Sequence, residues 1–188
     1  MEKRNFNILI VSLITGITLF WLSVYNIVQL DIDYGQYLQD QFTDPDELDI
    51  TIKGNGVTRE ITLRVAELKS DRYNQVINRQ FHFINAVGRR FDKIYSGVSL
   101  WSILIVENIL KPSASTFIFI GRDGYHSEKP LSLRLVEENP EDVILAYEED
   151  GHPLFNDGPI RSVVDYYVIP DEITTRFWIQ NLRYIQID

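Results

Sequence analysis

Read for its alternation of apolar and polar positions, the chain divides into three parts. Residues 8–30 (ILIVSLITGITLFWLSVYNIVQL) form an apolar run of about 23 residues without a charge, long enough to cross a bilayer as a helix. Residues 31–47 (DIDYGQYLQDQFTDPDE) are polar and acidic, with no sustained apolar period. From residue 48 onward the pattern becomes a series of short periodic segments. Residues 48–53 and 57–63 alternate around Gly54-Asn55-Gly56, a hairpin signal because Asn and Gly tolerate positive φ. Residues 62–69 offer Leu63, Ala66 and Leu68 on one side of a short helix. Residues 73–84 read as a long strand, 85–90 as a turn and 91–95 as a short strand. Ser99 is placed to cap a helix over 100–110, with Trp101, Leu104 and Ile105 among its apolar positions and Pro112 beyond its end. Residues 115–121 form a buried strand turned by Arg122-Asp123-Gly124, and 131–138 a short helix before Pro140. Residues 143–148, 161–167 and 176–187 supply three further strands. Many strands with a few short helices between them predict an α+β domain, mainly β.

Charge gives the first part an orientation. Lys3 and Arg4 precede the apolar run, and Asp31 and Asp33 follow it. The positive-inside rule therefore leaves the N-terminus in the cytoplasm and the domain outside. Trp21 and Tyr25 suit an interfacial aromatic anchor. A cleaved signal peptide would have a shorter apolar run and a small-residue cleavage site, and none follows Leu30. The expected organisation is a cytoplasmic N-terminus (1–7), a transmembrane signal anchor (8–30), an acidic linker (31–47) and a domain (48–188). Asp44, Asp46, Glu47 and Asp49 lack the glycine and the alternating ligands of a calcium loop, so the stretch reads as solvated linker. A net charge of −9 argues against a nucleic-acid binder, which would show a basic stripe. The absence of cysteine excludes disulfides, zinc–thiolate sites, iron–sulfur clusters and thiol nucleophiles.

The candidate chemistry gathers in residues 145–164, where two strands flank a loop rich in Gly, Pro, Asn and Asp. Arg161 carries a guanidinium suited to bidentate phosphate binding; equally, it is an arginine at a strand start that could pair with Asp157 or Asp165. Arg89 and Arg90 are the only adjacent basic pair outside the N-terminus, fit to hold an anion or simply to cover an exposed turn. Gly151 and Gly158 read as turn formers, and Trp101 and Trp178 as core. His82, His126 and His152 have no metal-ligand spacing, and there is no G-x-S-x-G elbow and no Gly-rich phosphate loop.

Four segments resemble the molybdopterin-binding domain of the sulfite oxidase family. Tyr95-Ser96-Gly97-Val98-Ser99-Leu100 is similar to its W-x-G-V-P-L, residues 117–125 (FIFIGRDGY) to its strand and DGY turn, residues 145–161 to its LLAYEMNGEPLP…HGxPLR, and 177–187 to its closing KWLxxIEV strand. The resemblance implies a pterin pocket held by backbone and basic side chains, made from Asn85, Arg89, Arg90, Asp157, Gly158, Arg161 and Arg176. Departures accompany it. Where the family has CxGNRR this chain has Asn85-Ala86-Val87-Gly88-Arg89-Arg90, and an amide cannot replace a thiolate as a soft metal ligand. Asp157 stands where the histidine of HGxPLR falls, and Phe177 where the lysine falls, with Arg176 adjacent. The expected fold is therefore an α+β, mainly β domain of the sulfite-oxidase molybdopterin-binding type, preceded by one transmembrane helix. The expected function is a membrane-anchored, non-catalytic binding or accessory module, with the bilayer and an anionic small ligand or a membrane protein as partners. One alternative is an oxidoreductase that holds a molybdenum or tungsten pterin without a protein cysteine. Another is a scaffold of a membrane complex.

Overall fold

A computed structural model describes residues 44–154, 158–170 and 172–188; residues 8–30, expected as the anchor, lie outside them. Two five-stranded sheets carry the architecture. In the first, β1 (Asp49–Lys53) runs antiparallel to β2 (Ile61–Arg64), with Ile52 opposite Ile61. On its other side β1 runs parallel to β10 (Leu182–Ile187), Thr51 opposite Tyr184. β10 is antiparallel to β5 (Thr116–Gly121), and β5 takes the two-residue β6 (Leu131–Ser132) at the edge.

The second sheet holds β3 (Gln75–Ile84), β4 (Arg90–Ser99) and β7 (Val143–Glu149). Both β8 (His152–Pro153) and β9 (Arg161–Val164) pair with β7. β4 shows why this sheet can build a site. From Arg90 to Ile94 its residues alternate exposed and half-buried, and from Tyr95 to Ser99 all are buried. One strand thus leads from a solvated hairpin into the interior. β9 is buried along its whole length, so its arginine enters the core with it.

The helices are short: α1 (Val65–Leu68), α2 (Leu100–Glu107) and α3 (Leu133–Glu138). Ser99 caps α2 as expected, its hydroxyl accepting from the Ser102 amide at 3.2 Å. The helix stops at Glu107 instead of 110 because Asn108 turns left-handed at φ 50°, and Leu110 goes on to bridge Val57.

Other boundaries need correction for similar reasons. The hairpin around Gly54-Asn55-Gly56 is looser than expected, since β2 begins only at Ile61. Residues 62–64, the start of the helix expected over 62–69, pair with β1, and only Val65–Leu68 is helical. Leu131 and Ser132 pair with β5 before α3 begins. The strand expected over 161–167 ends at Val164, and that expected over 176–187 starts at Leu182, after a 3-10 turn (Thr174–Phe177) and a left-handed Asn181.

The fold class is corrected as well. The protein has a mixed-sheet domain, about 42% strand and 18% helix, and not an α+β domain of the sulfite-oxidase type; the transmembrane helix expected before it falls outside the described residues. No helix among the described residues is long and apolar enough to cross a membrane. The physical reason lies in what carried the resemblance. Short turn motifs specify local bends, whereas the order of strands here is set by distant pairings such as β1 with β10.

Candidate functional site

The pairing of β4, β7 and β9 brings one polar cluster into the second sheet. Tyr95 lies opposite Glu149, and Arg161 opposite Ala146. The Arg161 side chain is only 2% exposed. Its Nη1 donates to Glu149 Oε2 at 2.8 Å and to the Tyr95 hydroxyl oxygen at 3.0 Å. Tyr95 in turn donates to Glu149 Oε2 at 2.9 Å, and Lys93 Nζ donates to Glu149 Oε1. Both oxygens of Glu149 are therefore engaged, one by a lysine and one by an arginine and a phenol. The arrangement satisfies the requirement that a buried charge be paired and hydrogen-bonded.

Aromatic rings enclose this cluster. The Arg161 guanidinium lies over the Trp178 ring, 4.4 Å from its centroid. Trp178 stacks on Phe83 with centroids 5.1 Å apart, and Phe91 stacks on the same Phe83 at 5.4 Å. Tyr95 meets Phe81, Phe83 and Trp178 edge-on. The Trp178 Nε1 donor is buried and has no hydrogen-bond partner among the described residues.

The surroundings shift both acids of the cluster. Burial pushes the Tyr95 hydroxyl well above its ordinary value; the Arg161 charge opposes this, and the hydrogen bond and charge of Glu149 add to it. Burial also pushes Glu149 upward, but hydrogen bonds from Lys93 and Tyr95 and the charges of Lys93 and Arg161 outweigh it. The Glu149 carboxyl is thereby held below its ordinary 4.5. A depressed carboxylate contributes stability above its unfolded value and loses it as pH falls through the folded one. Urea midpoints measured at neutral pH and again below the ordinary carboxylate range should therefore fall for the natural chain. The fall should be smaller for Glu149→Gln, and an equal fall in both would remove Glu149 from the account.

The other expected site residues lie elsewhere. Asn85 sits in the β3–β4 turn, where its Oδ1 accepts from the amides of Val87 at 3.1 Å and Arg89 at 2.9 Å. Its amide oxygen thus holds a turn. Asn85→Ala should cost about 1 kcal/mol of stability, the usual worth of such contacts, measured by urea unfolding. Arg89 and Arg90 are exposed at the same hairpin tip, Arg90 lying over the Tyr166 ring at 5.1 Å. Five positions of β4 separate Arg90 from Tyr95, roughly 17 Å along a strand. Arg176 pairs with Glu128 at 3.0 Å. Gly158 has φ +77°, and a side chain there would meet Asn181, its Cβ 2.6 Å from the Asn181 Cα, so its role is backbone packing. Asp157 lies outside the described residues. Among the described residues, no hydrogen bond or ion pair joins Asn85, Arg89, Arg90 or Arg176 to Arg161.

Nor does Asp165 pair with Arg161, as one reading expected; its carboxylate accepts from the amide of His82 at 2.8 Å and faces that histidine's Nδ1. His126 and His152 belong to different sheets, and no group of His, Asp and Glu among the described residues could hold a metal.

Glu149, Tyr95, Lys93 and Trp178 are the residues that sequence reasoning missed. A signal existed for two of them: Phe91, Lys93 and Tyr95 alternate on one face of β4. Glu149 was hidden in what reads as a charged turn. The described residues do not fit a pterin, since the buried arginine already holds a carboxylate and the other described candidates are scattered or otherwise engaged. No family model and no curated protein matches the chain.

Proposed function

We propose that the chain is a non-catalytic binding or accessory module of a membrane, its domain displayed outside the cytoplasm on the 8–30 segment. One observation carries the reading. Arg161, the buried cation that a small anionic ligand or cofactor would use, is already held by Glu149, Tyr95 and the face of Trp178. Releasing it to a ligand would leave Glu149 facing that ligand, a like-charge contact in a poorly solvated place. With this cation engaged, recognition falls to the surface of the domain. The buried Trp178 Nε1 supports the opposite reading, a small ligand offering an acceptor beside Arg161.

Thermal unfolding of the full chain in detergent, with phosphate, sulfate and molybdate against chloride at equal ionic strength, tests the choice. The module reading expects no saturable shift for any of the three. A saturable stabilisation that disappears in Arg161→Ala, or stoichiometric molybdenum or tungsten in protein from its native cells, would overturn it.

A further inference from the structure

Beside the free edge of β3, the chain leaving β9 displays two tyrosines. Tyr167 is 70% exposed, and Tyr166 next to it is half-buried. Their rings meet edge-on with centroids 5.8 Å apart, and Tyr167 meets the His82 ring edge-on at 4.8 Å. The Arg90 guanidinium lies over Tyr166, 5.1 Å from its centroid, and donates to its hydroxyl oxygen at 3.4 Å. Three rings and a guanidinium thus run together along the surface. Among the described residues the other ring clusters, around Phe83 and around Phe117, lie in or against the core. Tyr125, 54% exposed, has no ring partner among the described residues, and Tyr184 is covered by Lys53 Nζ, 3.7 Å from its centroid.

The arrangement is held from below. Asp165, itself buried, accepts the Tyr167 amide on Oδ1 at 2.9 Å and the His82 amide on Oδ2 at 2.8 Å. The Tyr166 amide donates to His82 O at 2.9 Å. Both tyrosines are therefore fixed at the backbone, and a tyrosine has few side-chain torsions left to order on binding. The Asp165 carboxylate also faces His82 Nδ1 at 3.1 Å, which leaves Nε2 as the ring nitrogen for a ligand.

Strand register decides what borders the rings. His82 lies opposite Asp92, and Gln80 and Arg90 stand two positions from them on the same face of their strands. Gln80 Nε2 donates to Asp92 Oδ2 at 2.9 Å, and Gln80, Arg90 and Asp92 are all exposed. An amide, an imidazole, a guanidinium and a carboxylate, all planar and rich in hydrogen-bonding atoms, therefore surround one open aromatic ring. The centre of a protein–protein contact is depleted of charged groups, so this border does not suit one. A pyranose has the complementary pattern, with C–H groups on a ring face and hydroxyls around the edge.

We propose that Tyr167 is the stacking platform of a glycan-binding site, which takes pyranose units of a polysaccharide and holds their hydroxyls with Gln80, His82, Arg90 and Asp92. These groups stand on an exposed face, which suits a chain of sugars lying across it. The inference rests on the reading of the domain as a module that recognises through its surface, and it gives that surface a ligand class.

The test is native affinity electrophoresis of the full chain in detergent, through gels containing alginate, glycol chitin, hydroxyethyl cellulose or xylan. The expected result is retardation by at least one of the four. The dissociation constant should rise about tenfold or more in Tyr167→Ala, the scale of a lost aromatic contact, and stay near the natural value in Tyr167→Phe and Tyr125→Ala. An unchanged urea midpoint for Tyr167→Ala is expected of so exposed a side chain and shows that the loss is not unfolding. No retardation in any gel, retardation that Tyr167→Ala leaves intact, an equal loss in Tyr125→Ala, or a protein adduct from a photo-crosslinking amino acid at position 167 in native cells would each overturn the proposal. The underlying reading fails separately: anion stabilisation that disappears in Arg161→Ala removes the surface-module reading and leaves the retardation result standing.

Discussion

Glu149→Ala should destabilise the domain by about 3–5 kcal/mol, the cost of removing one partner of a buried ion pair. The Arg161 guanidinium, 2% exposed and held against Tyr95 and Trp178, loses its 2.8 Å hydrogen bond to that carboxylate. Urea unfolding followed by tryptophan fluorescence reads this directly, because Trp178 lies against the affected charge. A double replacement, Glu149→Leu with Arg161→Met, should recover much of the loss, since apolar groups of similar volume remove both desolvation costs together. If Glu149→Ala costs less than about 1 kcal/mol, the Arg161–Glu149 pair behaves as a surface pair and not as a buried one.

Gly97→Ala should cost about 3 kcal/mol, at the upper end of overpacking penalties, and lower Tm by roughly 6–12 °C. Its reason is a close approach of two strands. A Cβ on Gly97 would stand 2.5 Å from Leu145 O and 2.7 Å from the Ala146 Cα, both backbone atoms of β7. No rotamer change relieves a contact with backbone, so β4 and β7 must separate at the point where Gly97 faces Ala146 and the pairing register shifts. Ala146 is also the residue opposite Arg161, so the same displacement should disturb the Arg161–Glu149 geometry. A Gly97→Ala protein as stable as the natural chain would show that this approach is not tight.

What could be read from the chain alone follows the range of the interactions involved. Ser99 as a helix cap, the strand over 116–121 and the long strand ending at Ile84 are local matters of capping and period, and they stand within a residue or two. The order of strands was not legible, because Thr51 meets Tyr184 across most of the domain. The site divides in the same way. Arg161 could be singled out as an arginine at a strand start, but Glu149 as its partner could not. Asp165, a near choice in sequence, faces His82 instead, whereas Glu149 is delivered by the β7–β9 pairing and Lys93 and Tyr95 by β4. Asn85 was misread for a further reason. An asparagine beside a glycine and two arginines looks like ligand chemistry when its work is to hold its own turn.

The parallel pairing of β1 with β10 has a consequence for how the chain is made. β10 is the strand that joins β1 and β2 to β5 and β6, so the first sheet cannot close until residues near Ile185 have been synthesised. At ordinary elongation rates roughly 7 to 27 s separate the emergence of β1 from that of β10. Throughout that interval Ile50 and Ile52 have no neighbour on one flank, and the early half of the domain waits unfinished. This strand order therefore delays the formation of a rigid body until β10 has emerged.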